Sequence, residues 1–295
     1  MYDYLVHILI LICIYSVLTM SFSLALGYTG LPVFSQPAFF AIGAYAAAFM
    51  SAAGVPFWLE IFLSGAVAAC VAFVMSFAAL QLRGDYFAIV TLGFSEITRL
   101  ALLNESARYS AAGDVGIVGV ARPTFAGLDF NSLPHFLILA FGIMLLTFVV
   151  LRRLVHSPYG RVIRAIRDDE DVTDVIGKDT RQFKVEVLML VGFFAGIAGS
   201  LWAHYIQFVH PTQFTPDLLV FILASVVLFN EASIGGAILG SAFMVAFPEL
   251  MRFLGLPESS VGALRLLIMG LTVVVIILLR EHRRGRNGRR TVASE

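Results

Sequence analysis

Long apolar runs separated by short polar stretches dominate the chain. A membrane-spanning helix needs about 20 mostly apolar residues, and several runs have that length to within a few residues. They are residues 4–26, 57–82, 134–151, 185–206 and 261–279. A further run, 86–103, also has the length but carries Glu96 and Arg99. The pattern predicts an all-α integral membrane protein.

Two other regions mix apolar residues with helix-breaking ones, and they lie in opposite halves of the chain. In 27–52, a stretch with Gly and Pro that includes Ser35 precedes a helix of small residues. In 216–253, the apolar run 218–229 stops at the polar residues 230–233. As a helix that run is about 18 Å long, too short to cross. Such paired breaks are typical of transporters built from internal repeats, with the substrate path at the breaks. The alternative is that Gly and Pro are simply common in membrane helices.

Full spans and half-helices together give eight to ten membrane segments, arranged as two internal inverted repeats. Residues 1–151 would form the first repeat, with an outer loop at 104–133, and residues 185–279 the second. Residues 152–184 would be a cytoplasmic loop between the repeats. Residues 280–295 would be a basic cytoplasmic tail.

Composition and charge support this interpretation. The chain is 59% hydrophobic and 14% charged, whereas soluble domains carry about 25% charged residues. Eight of the twenty Lys and Arg residues lie in 152–184 and six in 280–290, so the positive-inside rule places both segments in the cytoplasm. Parity then requires 218–229 and 235–253 to count as separate passes, or one of them to be re-entrant and the other to span. It leaves the side of the N-terminus open.

The first fifteen residues lack the basic region and cleavage site of a signal peptide, so we expect them to form the first membrane segment. Cys13 and Cys70 both lie inside apolar runs. Neither a disulfide nor a metal site is therefore expected.

The loop at 155–184 carries more structure than a simple connection needs. Ser157 can cap a short helix with Pro158 at its first position, and Gly177 can end a second one. An acidic run at 168–171 follows the first helix. Three arginines recur on one helix face: Arg161, Arg164 and Arg167. Paired short helices suit docking onto a soluble partner; the alternative is a solvated amphipathic linker.

Four runs, spread through nearly the whole chain, resemble those of one transporter family. They are AFFAIGAYAAA at 38–48, LRGDYFAIVTLGFSEITRL at 82–100, SPYGRVIRAIRDDE at 157–170 and VGFFAGIAGSLWAHYIQFVHPTQF at 191–214. The chain therefore resembles the branched-chain amino acid ABC transporter permeases, M-type subunit.

That resemblance implies a permease subunit of an ATP-driven importer for branched-chain or related amino acids or small polar solutes, in the bacterial inner membrane. Its partners would be a homologous H-type permease, two ATP-binding cassette subunits and a periplasmic solute-binding protein, and no nucleic acid. It implies no enzymatic activity and no cofactor, because the partners bind the ATP. The residues expected to contact the ATPases are Tyr159, Arg161, Arg164, Asp168, Asp169, Glu170 and Gly177.

The sequence itself agrees that the chain hydrolyses nothing. Its one Gly-Lys pair, at 177–178, lacks the upstream Gly and the following Ser or Thr of a phosphate-binding loop. A membrane-embedded enzyme finds no support, since no HExxH motif, catalytic carboxylate pair or Ser/His/Asp arrangement is evident. An ion-coupled secondary transporter is the main alternative. It would favour buried carboxylates, for which Glu96 and Glu231 are candidates.

The chain departs from the family pattern mainly at the two breaks and in the outer loop. The departures are at 34–37, 111–114 and 229–233, with a fourth at 172–173 in the cytoplasmic loop. Since substrate would pass the breaks, these suggest path residues. The candidates are Ser35, Gln36, Phe39, Asn230, Glu231 and Ser233.

Charged and aromatic residues near the membrane have competing interpretations. Glu231 either lines the path, because a lipid-exposed charge costs about 2.5–3.5 kcal/mol, or lies near a membrane surface, where it is solvated or pairs with an arginine of a neighbouring helix. Glu96 and Arg99 are three apart and are expected to pair structurally. His204 and His210 lie around the end of a membrane helix and are expected to be interfacial, together with Trp202 and Tyr205.

Overall fold

The computed structural model describes residues 2–82, 84–109 and 132–253, with shorter pieces at 116–118, 120, 124–125, 128–129 and 270. The α-helices within these residues are α1 Tyr2–Ser23, α2 Gln36–Ala52, α3 Phe57–Ala79, α4 Asp85–Tyr109, α5 Leu133–His156, α6 Pro158–Asp168, α7 Glu170–Val175, α8 Thr180–Ile206, α9 Pro216–Phe229 and α10 Ile234–Phe253. The two-residue strands are β1 Ile117–Val118, β2 Thr124–Phe125, β3 Leu128–Asp129 and β4 Phe208–Val209.

The helical membrane architecture predicted from the apolar runs is confirmed. Six stretches of the described chain are long and apolar enough to cross a bilayer: Asp3–Thr29, Phe57–Ala79, Asp85–Asn104, Leu133–His156, Thr180–Ile206 and Pro211–Phe229. Helix α2, with 17 residues, and the apolar part of α10, Ile234–Glu249, are shorter. The predicted segment at 261–279, apart from residue 270, and the tail at 280–295 lie outside the described residues.

The expectation that the run before the second break is too short to cross is wrong. Helix α9 begins at Pro216, and a 3-10 turn, Pro211–Gln213, precedes it. The stretch Pro211–Phe229 therefore has 19 residues. The apolar run seemed short because the residues before it are polar. His210 caps the 3-10 turn, and Thr212 and Gln213 belong to it, so these polar residues are part of the stretch that leads into α9.

The first break follows a change in helix type. Helix α1 continues as a π-helical turn, Leu24–Thr29, and ends at Gly30, whose φ of 74° suits a glycine. The N–H of Gly30 donates to the carbonyl of Ala25. Five residues later α2 begins after Ser35, slightly before the small-residue run that predicted it. The second break spans 230–233, between α9 and α10.

Helix α8 lies at the centre of the bundle, and small residues allow α2 and α3 to pack closely against it. A Cβ built on Gly43 would lie 2.3 Å from the Cα of Gly196, so the backbones touch there. A Cβ on Gly192 would lie 2.8 Å from the carbonyl oxygen of Ala68. Close approach at glycine and alanine is how helices associate without a hydrophobic driving force.

The bundle has two distinct faces. Helices α6 and α7 lie on one, here named the loop face, and α8 runs from that face to β4 on the opposite face. Strand β1 pairs with β4 in antiparallel register, Ile117 opposite Val209, which brings the segment after α4 to the opposite face. The start of α1 lies there too, since the rings of His7 and Tyr205 are 5.5 Å apart.

Candidate functional site

The two short helices of the loop are fixed by local capping. The Ser157 hydroxyl accepts a hydrogen bond from the N–H of Gly160 and so caps α6, as the sequence predicts. A Cβ on Gly160 would lie 2.0 Å from the carbonyl oxygen of Val155, so a side chain has no room there. Asp169 caps α7 by accepting from the N–H of Val172 at 3.0 Å. Gly177 follows α7 with φ of 88°, the predicted helix end.

One face of α6 is buried against the bundle. Ile163 and Ile166 are buried, and the Tyr159 ring lies 5.3 Å from that of Phe183 at the start of α8. Burial, and next the carboxylate of Glu186, raise the pKa of the Tyr159 hydroxyl above its ordinary 10.0. The hydroxyl therefore stays protonated at neutral pH and remains a hydrogen-bond donor. Tyr159 thus anchors α6 to α8.

The other residues expected to contact an ATPase surround the exposed side of α6 and α7. Arg161, Asp168 and Asp169 are exposed. Arg164 donates to the carbonyls of Gly160 and Val155 and so folds back along the loop. The remaining acidic member, Glu170, lies 2.5 Å from Nζ of Lys184 on α8.

Three apolar side chains of α7 and its C-terminal cap face solvent. Val172, Val175 and Ile176 are 54%, 88% and 73% exposed. We name these three residues the apolar patch. Sequence reasoning did not single them out, because a lone valine in a charged loop gives no sign of whether it is buried. The only available signal was that position 172 departs from the family pattern.

Arg167, near the end of α6, contacts both helix breaks. Its guanidinium donates to the carbonyl of Gly27 in the π-helical turn and, at 2.9 Å, to Oε1 of Glu231 in the second break. A Cβ on Gly30 would lie 3.1 Å from Cγ of Arg167. The sequence places Arg167 on the arginine face of α6 but not among the candidate site residues. The signal was its continuation of the three-residue arginine spacing.

The carboxylate of Glu231 is thus paired with an arginine, which is the second of the two arrangements considered for it. Its backbone is fixed against α1: the Ser23 hydroxyl donates to its carbonyl at 2.6 Å. A Cβ on Gly27 would lie 1.7 Å from that same carbonyl oxygen. The second break and the end of α1 therefore form one tightly packed unit at the loop face.

A cavity of about 260 Å³ lies beside this unit. Its walls come from the first break, the α3–α4 connection, α6 and α8. Charged side chains line one side: Arg167, Asp168, Asp169, Glu170 and Lys184. The cavity therefore combines free volume with several carboxylates next to Arg167.

The path candidates at the first break are buried. Ser35, Gln36 and Phe39 are each 0% exposed. The side-chain N–H of Gln36 donates to the carbonyl of Leu18 at 3.1 Å and to the Ser21 hydroxyl at 2.7 Å. Within the described residues, the Ser35 hydroxyl and Oε1 of Gln36 have no hydrogen-bond partner. Buried polar atoms without partners are unusual and need a physical reason.

The path candidates at the second break are more open. Asn230 is exposed, and its side-chain oxygen accepts from the N–H of Ala232 at 3.3 Å. Ser233 caps α10, its hydroxyl accepting from the N–H of Gly236 at 3.0 Å. The two sets contact α1 at different levels: the first break at Leu18 and Ser21, the second at Ser23 and Gly27.

A buried pair of a carboxyl and an imidazole side chain joins α3 and α8, and sequence reasoning missed it. Nε2 of His204 lies 2.9 Å from Oε1 of Glu60, with the two side chains 1% and 2% exposed. Nδ1 of His204 lies 2.8 Å from the carbonyl of Ser200, so it carries the proton of that hydrogen bond. The expectation of an interfacial His204 is therefore wrong. The missed signal was a carboxylate inside the predicted span 57–82.

The ion pair that the sequence predicts between Glu96 and Arg99 is present on α4. Nε of Arg99 lies 3.1 Å and 3.0 Å from the two carboxylate oxygens of Glu96. The expected structural pairing is confirmed.

Comparison with known proteins identifies the family. The family described as branched-chain amino acid transport system / permease component matches residues 4–277. The chain belongs to this family. The permease architecture described above is therefore that of a recognised transport family, as the sequence runs had suggested.

Curated relatives of this permease include two bacterial proteins with one name, high-affinity branched-chain amino acid transport system permease protein LivM. The Escherichia coli K12 protein is 35% identical over 271 residues, 84% of this chain, and the Salmonella typhimurium LT2 protein is 35% identical over 263 residues, 81% of it. A probable LivM of Methanocaldococcus jannaschii is 24% identical over 231 residues, 74% of this chain. The permease chain spans 63%, 61% and 65% of these relatives' lengths.

Proposed function

We propose that this chain is the M-type permease subunit of an ATP-driven ABC importer. The observation that carries the proposal is the loop face. There a capped helix pair presents the apolar patch to solvent, and Arg161 and Asp168 of the same helix pair are also exposed. Exposed apolar groups with a charged rim are typical of protein–protein contact sites. We name the patch, together with the seven candidate coupling residues, the docking surface.

The docking surface would receive one of two ATP-binding cassette subunits. These subunits bind the ATP, so the chain needs no cofactor of its own. The rest of the assembly would be a homologous H-type permease and a periplasmic solute-binding protein. In this arrangement the loop face and the basic tail at 280–295 are cytoplasmic. The start of α1 and the β1–β4 pair then face the periplasm, and the whole assembly lies in the bacterial inner membrane.

Branched-chain or related amino acids are the proposed substrates, in line with the names of the relatives. We place the path at the first break, where the Ser35 hydroxyl and Oε1 of Gln36 are buried without partners in the described chain. A passing polar solute could bond to such groups, and Phe39 supplies an apolar wall. Asn230 and Ser233 would line the cytoplasmic end of the path.

One observation favours a second function, that of an ion-coupled transporter. The Glu60–His204 pair is a titratable site buried between two membrane helices, and such sites occur in proton relays. The two functions differ in their energy source. The ion-coupled function requires no docking surface.

Reconstitution of the permease with its partners in proteoliposomes tests both functions. Leucine uptake should require ATP and the binding protein and should survive collapse of the ion gradients. Uptake that continues without ATP but stops with the gradient would overturn the importer proposal and favour the second function.

The docking surface itself is tested by Val175→Glu, which puts a charge at the centre of the apolar patch. We expect the ATPase subunit to be lost from the purified complex, with ATP-dependent uptake falling at least tenfold, within the range of interface hot spots. Ala53→Glu is the matched control, because Ala53 is exposed at the opposite face and should retain the ATPase. Normal copurification of the Val175→Glu variant would exclude the patch as the docking site.

A further inference from the structure

We infer that Arg167 is the positioning residue that links the docking surface to the two helix breaks, acting through its ion pair with Glu231. The inference rests on the proposed function and goes beyond it. It assigns Glu231 to coupling rather than to substrate contact. It also adds a residue that the docking surface, as defined above, does not contain.

Arg167 lies between the loop and the two helix breaks. Its side chain leaves the end of α6 and donates to Gly27 in the first half of the chain and to Glu231 in the second. The side chains of Arg167 and Glu231 are only 28% and 23% exposed. One guanidinium therefore joins the loop to both breaks, in surroundings partly withdrawn from water, where charge pairing is stronger than at a surface.

The backbone is held in place on both sides of the Arg167–Glu231 ion pair. Glu231 cannot move independently of α1, because Ser23 holds its carbonyl and Gly27 packs directly beneath it. On the other side, Asp169 ends α6 and caps α7, and Arg167 directly precedes the docking-surface residues Asp168 and Asp169. A displacement of α7 can therefore reach the breaks through the side chains of Arg167 and Glu231.

A second set of carboxylates lies close to Arg167. The 260 Å³ cavity beside it is lined by Asp168, Asp169 and Glu170. Glu170 already pairs with Lys184, and Asp169 caps α7. Asp168 is therefore the carboxylate available to a guanidinium released from Glu231. Two discrete arrangements of one side chain form the kind of two-state element that can transmit a change between sites. In the proposed cycle, exchange of Glu231 for Asp168 frees the second break to move.

The test compares ATP hydrolysis with transport in the reconstituted full complex. Glu231→Gln keeps the size of the side chain but removes its charge. We expect leucine uptake to fall by roughly 5- to 150-fold, the usual range of coupling between sites. Hydrolysis by the ATPase subunits should continue within about twofold of the unaltered complex. Arg167→Gln should behave in the same way.

The double variant Arg167→Glu/Glu231→Arg restores opposite charges and should recover part of the uptake. Arg181→Gln, an exposed arginine at the start of α8 outside the docking surface, should leave uptake and hydrolysis unchanged. An equal loss of uptake and hydrolysis in Glu231→Gln would show a merely structural role and overturn the inference. So would full uptake in that variant, or no recovery in the double variant.

Failure of the proposed function would look different. In that case the unaltered complex itself would show no ATP-dependent uptake. The importer function would then be rejected on the unaltered complex alone, without reference to the Arg167 and Glu231 variants.

Discussion

Glu60 is paired with a residue far away in the sequence. It lies in the first turn of α3 and contacts His204 of α8, and both side chains are almost fully buried. The Phe57 and His204 rings meet in a T-shaped arrangement with their centroids 5.0 Å apart. The close approach of the Glu60 and His204 side chains lowers the cost of burying each of them.

Removing one member of this pair should destabilise the protein strongly. His204→Leu leaves the Glu60 carboxyl buried without its partner, a change that typically costs about 3–5 kcal/mol. We expect a clearly lower melting temperature in detergent solution. The double variant Glu60→Leu/His204→Leu should regain much of the loss, since apolar replacement of both members is often nearly neutral.

The exposed His156 provides the control for this experiment. His156→Gln should melt like the unaltered protein, since the side chain lies on the surface. A His204→Leu protein with an unchanged melting temperature would show that the buried pair contributes nothing to stability.

At the scale of elements, the sequence predicts well what depends on local pattern. The spans near 57–82 and 134–151 match α3 and α5 closely, because an apolar run of that length has few other structures available. The caps of α6 also follow from Ser157 and Pro158 alone. By contrast, the contact of Arg167 with Glu231 joins residues 64 positions apart. No local pattern encodes it, since it depends on how α1, α6 and the second break pack together.

Close packing of α2 on α8 should make Gly43 intolerant of any side chain. In Gly43→Ala the added Cβ would lie 2.3 Å from the Cα of Gly196, so the helices must separate. Overpacking of this kind typically costs about 1–3 kcal/mol. We expect a lower melting temperature and reduced yield of the purified protein.

Gly142→Ala is the matched control, because a Cβ on this α5 residue meets nothing within 4 Å. It should be as stable as the unaltered protein, or slightly more so, given the higher helix propensity of alanine. Equal stability of the Gly43 and Gly142 variants would mean that α2 and α8 can adjust without cost.

At the scale of the whole molecule, the described helices settle which ends share a face. Helices α6 and α7 lie at one end of α8, while β4 and the start of α1 lie at the other. Under the proposed function, the loop face with its basic residues would lie in the cytoplasm, as the positive-inside rule predicts. The sequence left the side of the N-terminus open, since parity depended on how the broken segments were counted. Packing of His7 on Tyr205 supplies the missing constraint.

Accessibility of single cysteines in intact cells tests this topology. In a background with Cys13 and Cys70 replaced by alanine, Ala53→Cys should react with a membrane-impermeant maleimide added outside. Arg181→Cys, exposed at the start of α8 and outside the docking surface, should react only after the membrane is permeabilised, because this end of α8 lies on the loop face. The reverse labelling pattern would invert the whole assignment.

The contact between Gly27 and Glu231 has a consequence for how this family can diversify. The carbonyl oxygen of Glu231 occupies the space where a side chain at position 27 would begin. A lineage that gains a side chain at position 27 must therefore shift the backbone of the second break as well. The two positions are expected to covary across homologous sequences, linking the evolutionary histories of the two halves of the chain.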